Sequence, residues 1–302
     1  MCISSKSINF ATEFLKRLKV DDRNLRMRII AECNTIKSVW ALVEDNKIVE
    51  KVTTTGFNPF FHTRREISHT IRLELPETFF KRRWEHVHIY GSGCTTQEKK
   101  KIVEASAVAQ FKTPVTVESN VLGAARGLLN DKAGIACILS TGSNSCLYDG
   151  KDIVKQVRSL GFILGDEGSG SALGKLFVSD CMKGLAPTEI CEQFYAKNEV
   201  TPDDIMDIVY GSALTNRELA KLSKFLSEHL DNEYVHDLVC GELKRFFVRN
   251  ILQYDYEKYP VSFVGEEACL YADLLKEIAS EYNIEIGEIE PSALDGLVKY
   301  HS

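Results

Sequence analysis

Apolar positions in this chain fall mostly into short runs closed by polar turns. The clearest run, Gly134-Ile-Ala-Cys-Ile-Leu139, stops at Ser140-Thr-Gly-Ser-Asn-Ser145 and resumes at Cys146-Leu-Tyr before the turn pair Asp149-Gly150. Brief apolar runs bounded by turn residues predict buried strands, so this stretch reads as strand, tight turn, strand. Its corner bares backbone N–H groups and hydroxyls, a suitable seat for an anionic phosphate. A less regular copy lies upstream: Arg28-Ile-Ile-Ala-Glu-Cys-Asn-Thr-Ile-Lys-Ser38, then Val-Trp-Ala-Leu-Val, then the turn Asp45-Asn46-Lys47. Two such units about a hundred residues apart predict a duplicated fold that grips one polyphosphate between two lobes.

Around the hairpins the pattern alternates between strands and helices. Strands are expected near 86–90, 115–117 and 261–264, and helices over 64–73, 97–111, 121–130, 171–183, 187–197, 202–209, 216–230 and 234–254, with one more reaching about 282. Helices threaded between strands imply α/β architecture. The second lobe is expected to open near Lys132, and no low-complexity linker separates the lobes. Residues 1–27 read as a short amphipathic appendage ahead of the first strand, with Met27 a plausible natural start.

Composition then narrows the partners. The net charge of −6 argues against nucleic acid, whose phosphates are met by basic faces. The one basic cluster, Lys81-Arg82-Arg83, reads as a solvated loop. No run of about 18 uncharged apolar residues exists to cross a membrane. The nine cysteines lack C-x-x-C spacing, which argues against a zinc site or disulfide framework. Several, such as Cys137, Cys146, Cys240 and Cys269, sit in apolar runs and read as reduced core thiols of a cytoplasmic protein.

The glycine-rich stretch 165–175 fails as a P-loop, because Ser169 and Leu176 stand where the pattern needs glycine and Ser or Thr. It fails as a dinucleotide fingerprint too, since Gly174 comes one place too late. Glycines crowded around Asp166 and Glu167 still point to backbone packed against a ligand, with two carboxylates ready to accept hydroxyl hydrogen bonds.

Several segments together carry a family resemblance. They are Ser140-Thr-Gly-Ser-Asn-Ser145, Gly161-Phe-Ile-Leu-Gly-Asp-Glu-Gly-Ser169, Gly56-Phe-Asn-Pro-Phe60, Gly91-Ser-Gly-Cys94, Asn216-Arg217 and the tail from Pro291. From about Met27 onward the chain resembles the BadF/BadG/BcrA/BcrD-type ATPases, in their N-acetylglucosamine-kinase-like branch of the actin-like sugar kinase superfamily. The resemblance implies two RNase-H-like lobes around a central cleft: 28–131, then 132–290, with 291–302 returning to the first lobe. It implies ATP and Mg²⁺ as cofactors, a small amino sugar as ligand, and allows a homodimer. Thr35, Lys37, Thr141, Gly142, Ser143, Asn144 and Gly265 are then expected on the nucleotide phosphates. Asn58, Ser92, Gly93, Ser140, Asp166 and Glu167 are expected on the sugar.

Against this pattern the catalytic positions depart. The first phosphate motif of the family runs Asp-x-Gly-Ser/Thr-Thr-Lys, whereas this chain reads Glu32-Cys33-Asn34-Thr35-Ile36-Lys37. Glu32 therefore stands where an Asp would organise magnesium-bound water, and Asn34 where the turn has glycine. Asn tolerates positive φ, but its side chain crowds a phosphate. The family's general-base Asp is Asn120, and a neutral amide can orient a hydroxyl without accepting its proton. Glu118, two residues earlier on the same strand face, is the candidate substitute base. In the nucleoside motif, Glu266 and Glu267 replace small or apolar residues. These changes predict an ATP-dependent sugar kinase of weak or decayed activity, with a non-catalytic sugar or nucleotide sensor as the rival. An iron–sulfur-bearing ATPase activator is set aside because the cysteines are scattered.

Overall fold

The computed structural model describes residues 27–81 and 83–302; the appendage, and Arg82 of the basic loop, lie outside the described residues. In chain order the elements are β1 (Met27–Cys33), β2 (Lys37–Glu44), β3 (Lys47–Thr55), α1 (Arg64–Glu74), β4 (His86–Gly91), α2 (Gln97–Phe111), β5 (Val115–Ser119) and α3 (Asn120–Leu129). The second half holds β6 (Ala133–Leu139), β7 (Ser143–Asp149), β8 (Ile153–Lys155), α4 (Gly161–Leu164), α5 (Gly170–Lys183), α6 (Thr188–Asn198), α7 (Pro202–Gly211), α8 (Thr215–Ser227) and α9 (Glu233–Arg249). It closes with β9 (Val261–Val264), α10 (Glu266–Leu270), α11 (Ala272–Glu281), β10 (Ile286–Glu290) and α12 (Leu294–Tyr300).

Two five-stranded sheets repeat one topology. The first runs β3-β2-β1-β4-β5 and the second, read in the same sense, β8-β7-β6-β9-β10. In each, the first three strands form an antiparallel meander, and two parallel strands extend the other side. The central strands β1 and β6 are buried along most of their length, which explains their near-continuous apolar sequences. Edge strand β3 turns Lys47 and Lys51 outward, charges that discourage pairing with another chain. This is the two-lobe actin-like ATPase and sugar kinase fold.

Helix α3 touches strands of both sheets, and α12 packs on α3 and β1. One core joins Ala124, Leu294, Leu297 and Val298 to Ile30 and Ala41 of the first sheet, with Val264 of the second. Another sets Val121, Leu122, Ala125 and Leu129 against Ala136 and Cys146. α3 and α12 meet backbone to backbone: a Cβ added at Gly296 would stand 1.8 Å from the Gly127 carbonyl oxygen. Each burial of a large aliphatic side chain here is worth about 1.5–3 kcal/mol, so the helix pair binds the lobes firmly.

Some expectations change. A turn at Tyr271 splits the helix expected after β9 into α10 and α11. Short β8 and α4, β10 and α12 carry too few patterned residues to stand out in sequence. All eight described cysteines are free thiols, and Cys137 and Cys146 are buried, but Cys269 is exposed rather than part of the core.

Candidate functional site

The first hairpin corner, between β1 and β2, is organised by Asn34. Its Oδ1 accepts hydrogen bonds from the backbone N–H of Ile36 and of Lys37, both at 2.8 Å. Asn34 is not among the positive-φ residues, so its side chain reaches these donors from ordinary backbone; the expected positive-φ turn does not occur here. Gly56 lies against this corner, where an added Cβ would come within 2.2 Å of the Asn34 carbonyl oxygen, and its N–H donates to Ile36 at 2.9 Å. Asn58 carries the neighbouring loop: its Nδ2 donates to Thr35 Oγ1 at 3.2 Å and its Oδ1 accepts from the N–H of Phe60 at 3.0 Å. Gly93 packs on Asn58 so tightly that a Cβ there would sit 2.1 Å from Asn58 Oδ1, and Ser92 N–H donates to Cys33 O at 2.9 Å. Asn34, Thr35, Asn58, Ser92 and Gly93 thus form one first-lobe cluster, with the Asn58 side chain occupied inside it.

The second corner, between β6 and β7, is covered from outside. Asp166 Oδ1 accepts from Ser143 N–H at 3.2 Å, and its Oδ2 would lie 2.8 Å from a Cβ at Gly142, so only glycine admits this carboxylate. Asp166 itself holds φ at 58°, and burial pushes its carboxyl up to about 6 despite the Ser143 hydrogen bond. Carbonyls of Ser140 and Thr141 accept from Gly170 and Ser171 N–H, at 2.9 and 3.1 Å, fastening the corner to the start of α5. Gly265 also needs to be glycine: φ is 133° and a Cβ would meet Leu139 O at 1.9 Å. Glu167 pairs with Arg249 across a cavity of about 320 Å³ that Ser143, Arg158 and Asp166 also line. Asn144 turns outward, where its Oδ1 accepts from Gln156 Nε2 at 3.0 Å.

The acidic positions separate sharply. Glu32 Oε2 accepts from Ser292 Oγ, and its carboxylate also takes the Ala293 N–H; burial raises its proton affinity overall. Glu118 is held by Lys100 at 2.5 Å, both partly buried. Asn120 opens α3, capped by Ser119 Oγ accepting from Leu122 N–H at 3.3 Å, and its own carboxamide makes no hydrogen bond among the described residues. Glu266 is half exposed and pairs with Lys224 at 2.6 Å. Glu267, only 5 % exposed, points inward against α5 and α8 with its Oε2 unpartnered. Burial pushes this carboxyl up to about 7, opposed by the charges of Lys224 and of Lys37 from the other lobe.

These placements sharpen the sequence reading. Lys37 of the first lobe lies near enough to the second for its charge to lower the proton affinity of Glu267. Asn144 and Glu266 stand apart, engaged elsewhere. Glu267 carries more of the site's electrostatics than Glu266, a distinction the adjacent pair in sequence does not make. As a magnesium site the residues fit poorly: Glu32 spends its carboxylate on Ser292 and Ala293, and among the described residues no cluster of three His, Cys, Asp or Glu could hold a metal. At each corner some N–H donors already have an acceptor: those of Ile36 and Lys37 end on Asn34, and that of Ser143 ends on Asp166. No helix among the described residues is long and apolar enough to cross a membrane.

No family model matches the chain, and no curated protein does. Among solved structures it is similar to a candidate N-acetylglucosamine kinase of Porphyromonas gingivalis, at 36 % identity and a TM-score of 0.87, over 91 % of this chain and 98 % of that one. A candidate N-acetylglucosamine kinase of Chromobacterium violaceum shares the fold at 13 % identity and TM-score 0.64, over 92 % of this chain and 99 % of that one. So does a ROK family glucokinase of Streptomyces griseus, crystallised with glucose and AMPPNP, at 14 % identity and TM-score 0.58, over 91 % and 97 %.

Proposed function

The chain belongs to the N-acetylglucosamine-kinase-like family of actin-like sugar kinases, and from that premise we propose that it keeps an amino-sugar cleft with weak or lost phosphotransfer. The observation that carries this reading is Asn120. It occupies the first position of α3 with a free carboxamide, where its family resemblance places the general base. The amide can hold a sugar hydroxyl in place, donating or accepting one hydrogen bond, but cannot take its proton. Glu118 does not replace it simply, because its carboxylate is engaged by Lys100. Gly93, Ser140, Asp166 and Glu167 are the positions that the family resemblance assigns to sugar hydroxyls. A non-catalytic sugar sensor on the same fold is the second reading, favoured by the Asn34 hydrogen bonds across the first corner.

Calorimetry with N-acetylglucosamine, paired with a coupled assay for ATP consumption, tests the proposal. Binding of the amino sugar with little or no turnover is expected. Robust turnover that survives substitution of both Asn120 and Glu118 would sink the assigned site.

A further inference from the structure

The nucleotide half of the cleft raises a more specific question: what the two corners' donors and Lys37 now face. At the first corner the inward N–H groups of Ile36 and Lys37 both end on Asn34 Oδ1, at 2.8 Å each. A phosphate arriving there must displace an acceptor that is already part of the turn. Across the cleft, Glu267 presents a carboxyl that is 5 % exposed and has an unpartnered Oε2. Its Oε1 fills the space over Gly170 at the start of α5, where an added Cβ would come within 2.3 Å. Ala220 and Ser223 close the other side, each 3.1 Å from that same point. Three other charged groups act on Glu267: Lys37 from the first lobe, Lys224, and the like-charged Glu266. Lys224 is committed to Glu266 at 2.6 Å, whereas Lys37 forms no ion pair among the described residues.

We infer that the protein supplies its own phosphate surrogates: the Asn34 carboxamide takes over N–H donors that a nucleotide's phosphates would use, and the buried Glu267 carboxyl adds like charge at the second lobe, so that the cleft engages sugar without nucleotide. This rests on the family reading of the cleft in the preceding section. The two groups come from opposite lobes and act differently. Asn34 satisfies hydrogen-bond donors with a neutral oxygen. Glu267 sets a buried acidic group against Gly170 at the start of α5, and a polyphosphate placed there would meet like charge in a poorly hydrated setting. Asp166 is a third acceptor on the phosphate corners, but it belongs to a segment that matches the family pattern. The surrogate role is therefore assigned to the two positions that depart from it.

The test is titration of the full chain with Mg·ATP, comparing wild type with Asn34→Gly, Glu267→Gln, Glu267→Val and the Asn34→Gly/Glu267→Val pair. Wild type should show no binding up to about 1 mM, each single change should tighten binding about tenfold, and the pair about a hundredfold if the two act independently. Glu267→Gln preserves shape while removing charge, so it carries the test if the valine variants unfold. Micromolar Mg·ATP binding by wild type would overturn the inference. So would a pair variant that melts like wild type yet gains nothing. A parallel titration with N-acetylglucosamine separates the two ideas: its failure to bind wild type removes the amino-sugar reading, whatever the nucleotide arm shows.

Discussion

The two hairpin corners occupy equivalent places in equivalent sheets, yet their donors are satisfied in opposite ways. At β1–β2 the acceptor is Asn34, a member of the turn itself, two and three residues from the N–H groups it holds. At β6–β7 it is Asp166, which reaches Ser143 from a separate glycine-rich loop 23 residues along the chain. A cap borne by a separate loop can withdraw when the loop moves. A cap within the turn leaves only if the turn itself changes. The second corner is thus covered by a distant segment and the first by its own turn, although both hydrogen bonds look alike in isolation. Duplication preserved the strand order and let the chemistry of the two copies diverge.

Four experiments press on that contrast. The largest effect is expected from restoring the base once the first corner has been opened. In a Glu32→Asp/Asn34→Gly/Glu267→Val background, adding Asn120→Asp should raise amino-sugar phosphorylation about 10²–10⁴-fold, read by a coupled ATPase assay. In the wild-type background the same change should give only a small part of that gain, because nucleotide binding stays poor. Equal gains in both backgrounds would mean that Asn34 and Glu267 are not obstacles.

Next in size is the charge of Glu267. Its folded-state pKa of about 7 lies above the ordinary 4.5, so the folded chain holds a proton that the unfolded chain releases. The associated stability is fully present below about pH 4.5, is lost as pH rises toward about 7, and stays lost above it. Glu267→Gln should therefore stabilise the protein by roughly 3 kcal/mol at pH 8 relative to its effect at pH 4, measured by urea unfolding at both values. A pH-independent difference would show that the carboxyl is solvated.

Smaller still is the turn itself. Asn34→Ala strips the acceptor from two partly exposed N–H groups and should cost about 1–2 kcal/mol in thermal melts. Asp166→Ala, which uncovers the second corner, also relieves a buried carboxyl and should cost less. The reverse order would contradict the distinction between a built-in and a removable cap. The smallest effect belongs to Glu118→Gln. Loss of its half-screened pair with Lys100 should cost about 0.5–1 kcal/mol, with any residual turnover unchanged. Disappearance of turnover would instead make Glu118 the base.

Legibility in the sequence followed the range of the forces involved. The paired hairpins were readable because strand periodicity and turn residues act over a few neighbours. So were α2, α3 and β9, and the departures at Glu32, Asn34 and Asn120. What escaped depends on contacts between distant segments. Glu266 and Glu267 are interchangeable as letters at a helix start, and only the packing of Gly170, Ala220 and Ser223 decides that one faces solvent and the other the interior. Glu118 reads as a free carboxylate until Lys100 is brought beside it from another helix. Asn58 reads as a sugar contact until Thr35 and Phe60 claim its amide. Glu32 reads as a metal-site residue until Ser292, far along the chain, closes on it.

The bare crossing of α3 and α12 adds a mechanical consequence. With Gly127 and Gly296 in backbone contact and only the Ala293 methyl beside them, the junction acts as a fulcrum rather than a slack joint. Asn120 lies seven residues from Gly127 on the same rigid helix, a lever arm of about 10 Å at 1.5 Å per residue. A tilt of about 10° at the fulcrum would swing Asn120 by about 2 Å, the difference between touching a sugar hydroxyl and missing it. Bulk at the crossing, such as Gly296→Ala, should therefore register at the far end of the helix as weaker sugar binding, even though nothing in the cleft has been altered.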